Sequence, residues 1–263
     1  LINFNVLANA ILGGYVSKDV PRAIDNAFRI YMLPQGMFSV AIATVLFPAL
    51  ARFAARRDFK GLRDSIGTGL RLIFLMLLPA AAATMVLSTP FTRLIYQHGN
   101  FDASDTELVA TALFWFSFSL PFSGVNLLLT RSFFSLQENW IPTLVALANL
   151  FFNAVLDVAF SPFGIWGIPL ATSVVNIAGT AALLIFLRRR LGRIDFGEVW
   201  ASFARVFLAS LVAGGVAFAV WKPLDDLVGR SLLGQLVSLG AALIAAVVAY
   251  MTAARALRVR EMQ

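Results

Sequence analysis

Cysteine is absent from the 263 residues, which excludes disulfides and thiolate metal sites. One histidine, His98, rules out a multi-histidine metal centre. Charge is scarce as well: 13% of residues are Asp, Glu, Lys or Arg, against about 25% in an ordinary soluble domain. Long stretches of strict apolar–polar alternation are missing, which speaks against a transmembrane β-barrel. The opening "LINFNVLANAILGGYV" has no basic n-region and does not read as a cleavable signal peptide. It reads as a chain starting in or just before a helix, and the expectation is a piece of something longer.

What remains is apolar. Hydrophobic residues make up 59% of the chain and the mean hydropathy is +0.81, which places it in the membrane class. A spanning helix needs about 20 mostly apolar residues. Eight such runs are expected, at roughly 1–16, 27–52, 67–89, 107–134, 141–160, 165–187, 203–221 and 233–256. No gap between them can hold a soluble domain. The fold class is therefore an all-α integral membrane protein, a polytopic bundle of about eight helices.

The net charge of +7 sits in short gaps between apolar runs, as in membrane loops, and does not suggest nucleic acid. The gap after the second span carries Arg52, Arg56, Arg57, Lys60, Arg63 and Arg71 against Asp58 and Asp64, net +4. The gap after the sixth carries Arg188, Arg189, Arg190, Arg193 and Arg205 against Asp195 and Glu198, net +3. The tail carries Arg255, Arg258 and Arg260 against Glu261, net +2. The gap after the third carries Arg93 against Asp102, Asp105 and Glu107, net −2. With eight spans the three basic segments share a side, so both ends of the chain are expected in the cytoplasm.

Polar residues inside apolar runs are costly and usually face a bundle interior or a wet cavity. Arg29 stands at the mouth of the second run, with Pro34, Gly36 and Pro48 further along it. One reading is a snorkelling anchor paired with Asp25. The other is a guanidinium facing a cavity, where its planar fork can grip phosphate, on a helix that Pro34 and Gly36 let bend. Asn149, Asn153 and Asp157 fall at i, i+4, i+8 and share a helix face. Asn5 and Asn9, and Thr172 and Asn176, repeat the four-residue spacing. These are hard-oxygen groups suited to Na⁺ or to a proton site at Asp157. The alternative is interhelical hydrogen-bond glue, worth about 0.6 kcal/mol per contact; "DVAFSPFG" puts Asp157 near the outer surface. The His98–Asp102 pair in "HGNFD" is one residue short of the His–Asp spacing of membrane acyltransferases, and a loop-structuring role is expected. The run Arg188–Arg190 reads as a positive-inside anchor that can also touch anionic lipid.

Four stretches carry a resemblance over nearly the whole chain: "FRIYMLPQGMFSVAIATVLFPALAR", "RLIYQHGNFDASDT", "LTRSFFSLQENWIPT" and "GIWGIPLATSVVN". Together and in this order, the set resembles the C-terminal half of the MurJ (MviN) lipid II flippases of the MOP exporter superfamily. The resemblance implies the last eight of fourteen helices. Residues 1–190 would form a six-helix transporter lobe, and residues 191–263 two additional helices and a cytoplasmic tail. It implies a carrier rather than an enzyme, in the bacterial cytoplasmic membrane, with lipid II as substrate and the N-terminal half of the same transporter as partner. Arg29 matches the cavity arginine that holds the pyrophosphate, with Pro34 and Gly36 as the hinge. Asn9, Asn153, Asp157 and Thr172 match positions that hold sodium in some members. Phe28 stands where many members are acidic, and Asn9 where some sodium binders have Asp. Rival readings are another MOP exporter, such as a polysaccharide-lipid flippase or a drug antiporter; an integral-membrane glycosyl- or acyltransferase, which would need a loop carboxylate pair or a correctly spaced His–Asp that the sequence lacks; and a non-transporting membrane scaffold.

Overall fold

The computed structural model describes residues 20–99, 101–192, 196–229, 231–259 and 261. The expected span at 1–16 lies outside them. The chain enters the described region as α1 (Val20–Pro34), continues through a π-helical turn (Gln35–Val40) and leaves as α2 (Ala41–Ala55). This 36-residue run is one crossing. Arg57, with φ 54°, turns the chain into α3 (Phe59–Val86), which Asp58 caps by accepting from Gly61 N at 2.9 Å.

The stretch after α3, expected as an outer loop, contains a nine-residue helix, α4 (Ser88–Tyr96). It is too short and too polar to register as a span. Next comes α5 (Ala103–Ser117), opened by a capping box in which Asp102 and Asp105 bond each other's backbone region. The Ser104 hydroxyl donates to Asp102 at 2.7 Å and holds that carboxyl below the usual carboxylate range. Asp102 thus structures the loop beside His98, as its position suggested.

The expected span at 107–134 is not straight. It breaks between α5 and α6 (Leu120–Ser135) with a 47° bend. Pro121 lacks the N–H that would reach the Ser117 carbonyl and continue the ladder, and at the break the Ser119 hydroxyl donates to the Phe116 carbonyl at 2.8 Å. The run Trp140–Leu191 is apolar over 52 residues, far more than one crossing needs. It is a hairpin of α7 (Trp140–Phe160), a 3-10 turn (Ser161–Trp166) and α8 (Gly167–Leu191). Gly164, at φ 78°, makes the reversal. The hairpin is antiparallel: Asn153 meets Thr172, and further down Asn149 lies against Gly179. Last come α9 (Phe196–Val228) and α10 (Leu232–Ala256), which pack mainly on each other. The described residues therefore make seven crossings and carry no strand.

The centre of the bundle is α3. Ile66, Leu70, Ile73 and Leu77 are fully buried against Leu113 and Phe116 of α5 and Leu120, Leu128 and Phe133 of α6. Between helices in lipid, close packing replaces the hydrophobic drive. Gly124 of α6 supplies it: a Cβ there would strike Leu77 and sit 2.9 Å from Ser39 Oγ in the π turn. The other face of α3 carries α9. Tyr250 of α10 also reaches α3, donating to the Leu75 carbonyl at 2.7 Å. Ion pairs tie this two-helix hairpin to the bundle at both ends. At one, Arg93 of α4 grips Asp225 of α9 with both oxygens at 2.8 Å. At the other, Arg71 of α3 meets Glu198 of α9 at 3.3 Å and Glu261 at 2.7 Å.

The two ends of the bundle differ in charge. Arg52, Arg56, Arg57, Lys60, Arg63, Arg188, Arg189, Arg190 and Arg255 all lie at helix ends on the Arg71 side. There Arg190 pairs with Glu138, so part of the run read as a lipid anchor also fastens α8 to the α6–α7 loop.

Candidate functional site

α1 buries one stripe, Val20, Ala23, Ile24, Ala27, Ile30 and Tyr31, chiefly against α5. Spacings of three and four put these residues on one face. The opposite face carries Arg22 and Arg29, then Met32, Leu33, Met37 and Val40, all exposed. Arg29 has both features weighed from the sequence. Its Nε donates to Asp25 at 3.0 Å, one turn earlier. The side chain is nonetheless 68% exposed, so the guanidinium keeps surface and donors for a second anion.

Pro34 and Gly36 coincide with a real distortion. Pro34 closes α1, and the six residues after it wind as a π turn. Proline removes the N–H owed to the carbonyl four residues back. The wider turn takes up the mismatch, and such turns recur at functional sites. A Cβ on Gly36 would meet nothing within 4 Å, so this glycine is not there for close packing.

The second set gathers on the α7–α8 interface. α7 is built inside out: Leu144, Leu147, Phe151, Phe152, Val155 and Val158 are exposed, while Asn153 and Asp157 are buried. Asp157 lies one turn from the end of α7, as expected, yet is 0% exposed, so it is not a surface residue. Asn153 Nδ2 donates to Thr172 Oγ1 at 3.3 Å, and Thr172 in turn donates to the Ile168 carbonyl at 3.2 Å. The Asn153 side-chain oxygen is buried without a hydrogen bond, a costly state for an amide. Asn153, Asp157 and Thr172 are thus on one interface; Asn9 lies outside the described residues. Arg29 stands apart from this interface, on α1, which packs chiefly on α5. Among the described residues no cluster of three His, Cys, Asp or Glu could hold a metal. A cation here would rest on amide, hydroxyl and one carboxylate oxygen, a hard set that suits Na⁺.

Two polar residues escaped the sequence reading. Asn126 of α6 donates to the Asn176 carbonyl of α8 at 3.2 Å, and its own side-chain oxygen is buried without a hydrogen bond. An amide within "GVNLLLT" was the available signal. Arg131 stacks its guanidinium over Phe47 of α2, 5.5 Å from the ring centroid.

A bundle with a bent, arginine-bearing helix at its edge and a polar interface within it defines the lobe of a multi-spanning transporter. A solved MATE structure in the bent conformation shares the fold, with a TM-score of 0.64 at 16% identity over 98% of this chain and 62% of that one. A structure of lipid II flippase MurJ in an inward closed conformation superposes with a TM-score of 0.75 at 25% identity, covering 96% of this chain and 51% of that one. The family model described as lipid II flippase MurJ matches residues 2–238, and the chain belongs to that family. Relatives include the probable lipid II flippase MurJ of Synechocystis sp., 31% identical over 200 residues that make up 74% of this chain and 37% of that protein. The corresponding protein of Rhizobium tropici is 28% identical over 93% of this chain and 46% of its own length. The chain thus spans less than half the length of these relatives. The family is one of flippases, not enzymes.

Proposed function

We propose that this chain is the C-terminal half of a flippase that turns lipid II over across the bacterial cytoplasmic membrane by alternating access. Arg29 carries this reading. It lies exposed in the second half of α1, ahead of the π turn, where it can hold an anionic head group as the helix bends. The pyrophosphate is the group its fork matches. The N-terminal half of the same protein would close the cavity opposite α1. In cells depleted of their lipid II flippase, the full-length protein is expected to restore growth; failure at normal membrane levels would refute the reading.

The basic end of the bundle is proposed to face the cytoplasm, C-terminus included. Cysteines placed at Lys60 and Glu107, both exposed, should then label from opposite faces of the membrane. Labelling from the same face would contradict the topology. Sodium is proposed as coupling ion, held by Asn153, Asp157 and Thr172 with Asn9. Sodium should raise the Tm of the full-length protein over potassium, and Asp157→Ala should remove the difference. A wild type indifferent to sodium would reduce the polar interface to hydrogen-bond glue.

A further inference from the structure

A pocket of about 210 Å³ opens at the basic end of the bundle, between α3, the first turns of α9 and the segment after α10. Its polar wall is Arg71, Glu198, Ser202, Arg205 and Glu261. Arg258, at φ 54°, turns the chain back after α10; its carbonyl accepts from Arg205 Nη1 at 3.2 Å. Val259 then plugs into the apolar cluster of Leu75, Leu78 and Val206 and anchors the segment. Beyond it, the Glu261 carboxylate enters the pocket with 10% of its side chain exposed. One oxygen lies 2.7 Å from Arg71 Nε, and the other accepts from the Ser202 hydroxyl at 3.3 Å.

A carboxylate therefore already sits between the Arg71 guanidinium of α3 and the Ser202 hydroxyl in the second turn of α9. Two guanidiniums, Arg71 and Arg205, balance two carboxylates, Glu198 and Glu261. Taking Glu261 out leaves one positive charge and an anion vacancy. A phosphodiester offers the same geometry as the carboxylate and more acceptors. The surroundings favour a lipid over a soluble phosphate. Trp200 is 70% exposed beside the pocket and begins an aromatic ladder through Phe203 to Phe207, with ring centroids 5.1 and 6.0 Å apart. An acyl chain can lie along that ladder while the phosphate sits between the arginines.

We propose that this pocket binds the phosphate of an anionic phospholipid, and that Glu261 is a built-in competitor for it. Val259 holds the segment in place, so exchange needs only the Glu261 side chain to swing out. The site lies on α3 and α9, away from Arg29, and does not depend on which lipid the cavity carries.

The test is a titration of the purified full-length protein with phosphatidylglycerol, phosphatidylcholine or inorganic phosphate, read by native mass spectrometry. Phosphatidylglycerol should bind and the other two should not compete with it. Glu261→Gln, which keeps the shape and removes the charge, should tighten phosphatidylglycerol binding by about fivefold, the worth of one charge at a lipid surface. Arg71→Gln should weaken it by at least as much. Arg205→Gln, which leaves the Arg71 contacts in place, should weaken it about fivefold and guards against misfolding of the first variant. Unchanged affinity in Glu261→Gln, or wild-type affinity in Arg205→Gln, would overturn the proposal. Displacement of phosphatidylglycerol by inorganic phosphate would overturn its lipid half.

Discussion

Arg29→Ala in the full-length protein is expected to accumulate in the membrane at wild-type levels and to fail completely in cells depleted of their own flippase. The side chain is mostly exposed and its ion-pair partner, Asp25, is itself 43% exposed. An exposed i,i+4 pair is worth only about 0.3–0.5 kcal/mol, so its loss should not unfold α1. What is lost is the fixed charge and planar fork. Arg29→Lys separates this role from simple anchoring. A lysine snorkels as well as an arginine, but it cannot grip a pyrophosphate with two parallel bonds. Partial growth with Lys and none with Ala is the expected pattern. Full growth of the alanine variant at native expression would remove Arg29 from the substrate site.

The largest loss of stability is expected at Arg93. It and Asp225 are each 12% exposed and joined by two contacts of 2.8 Å. Arg93→Ala strands a carboxylate in a poorly hydrated place, at a cost of about 3–5 kcal/mol. The Tm of the full-length protein should fall clearly. Removing both charges should restore most of it, because an uncharged pair owes no desolvation. Arg93→Leu with Asp225→Leu is thus expected to be more stable than Arg93→Ala alone. A double variant no better than the single would mean that α4 and α9 depend on the pair itself.

That ion pair also shows where sequence reasoning stops. The residues lie 132 positions apart, and no local pattern links them. A loop-charge tally gave Arg93 a role in orientation and none in packing. The nine residues of α4 were invisible for a related reason: a short amphipathic helix has too little apolar length to stand out from a loop. The long crossings were legible because lipid demands about 20 apolar residues from each. The bend between α5 and α6 was not read, although Pro121 marks it, because the run 107–134 is apolar enough on both sides of Ser117 and Ser119 to pass as one helix. At the sites, Arg29, Asn153 and Asp157 stood out because charge and amide are rare in such runs. Their burial did not follow: only packing against α8 decides that Asp157 points inward while Arg29 stays exposed.

The π turn at Gln35–Val40 has a consequence for phase. A π turn accommodates a residue beyond what an α-helix would use over the same length. The faces of α1 and α2 are therefore offset by about 100°, one α-helical step, from where an unbroken helix would put them. Both halves are packed with that offset built in: Ala27, Ile30 and Tyr31 above it, Ala43 and Leu50 below it. A one-residue deletion inside the turn would let it rewind as ordinary α-helix without rotating either half off its neighbours. An insertion of one residue elsewhere in the same run would rotate one half by that step and swing the arginine face toward the core. The run should thus tolerate length changes very unevenly along its 36 residues, with the tolerant window confined to the π turn.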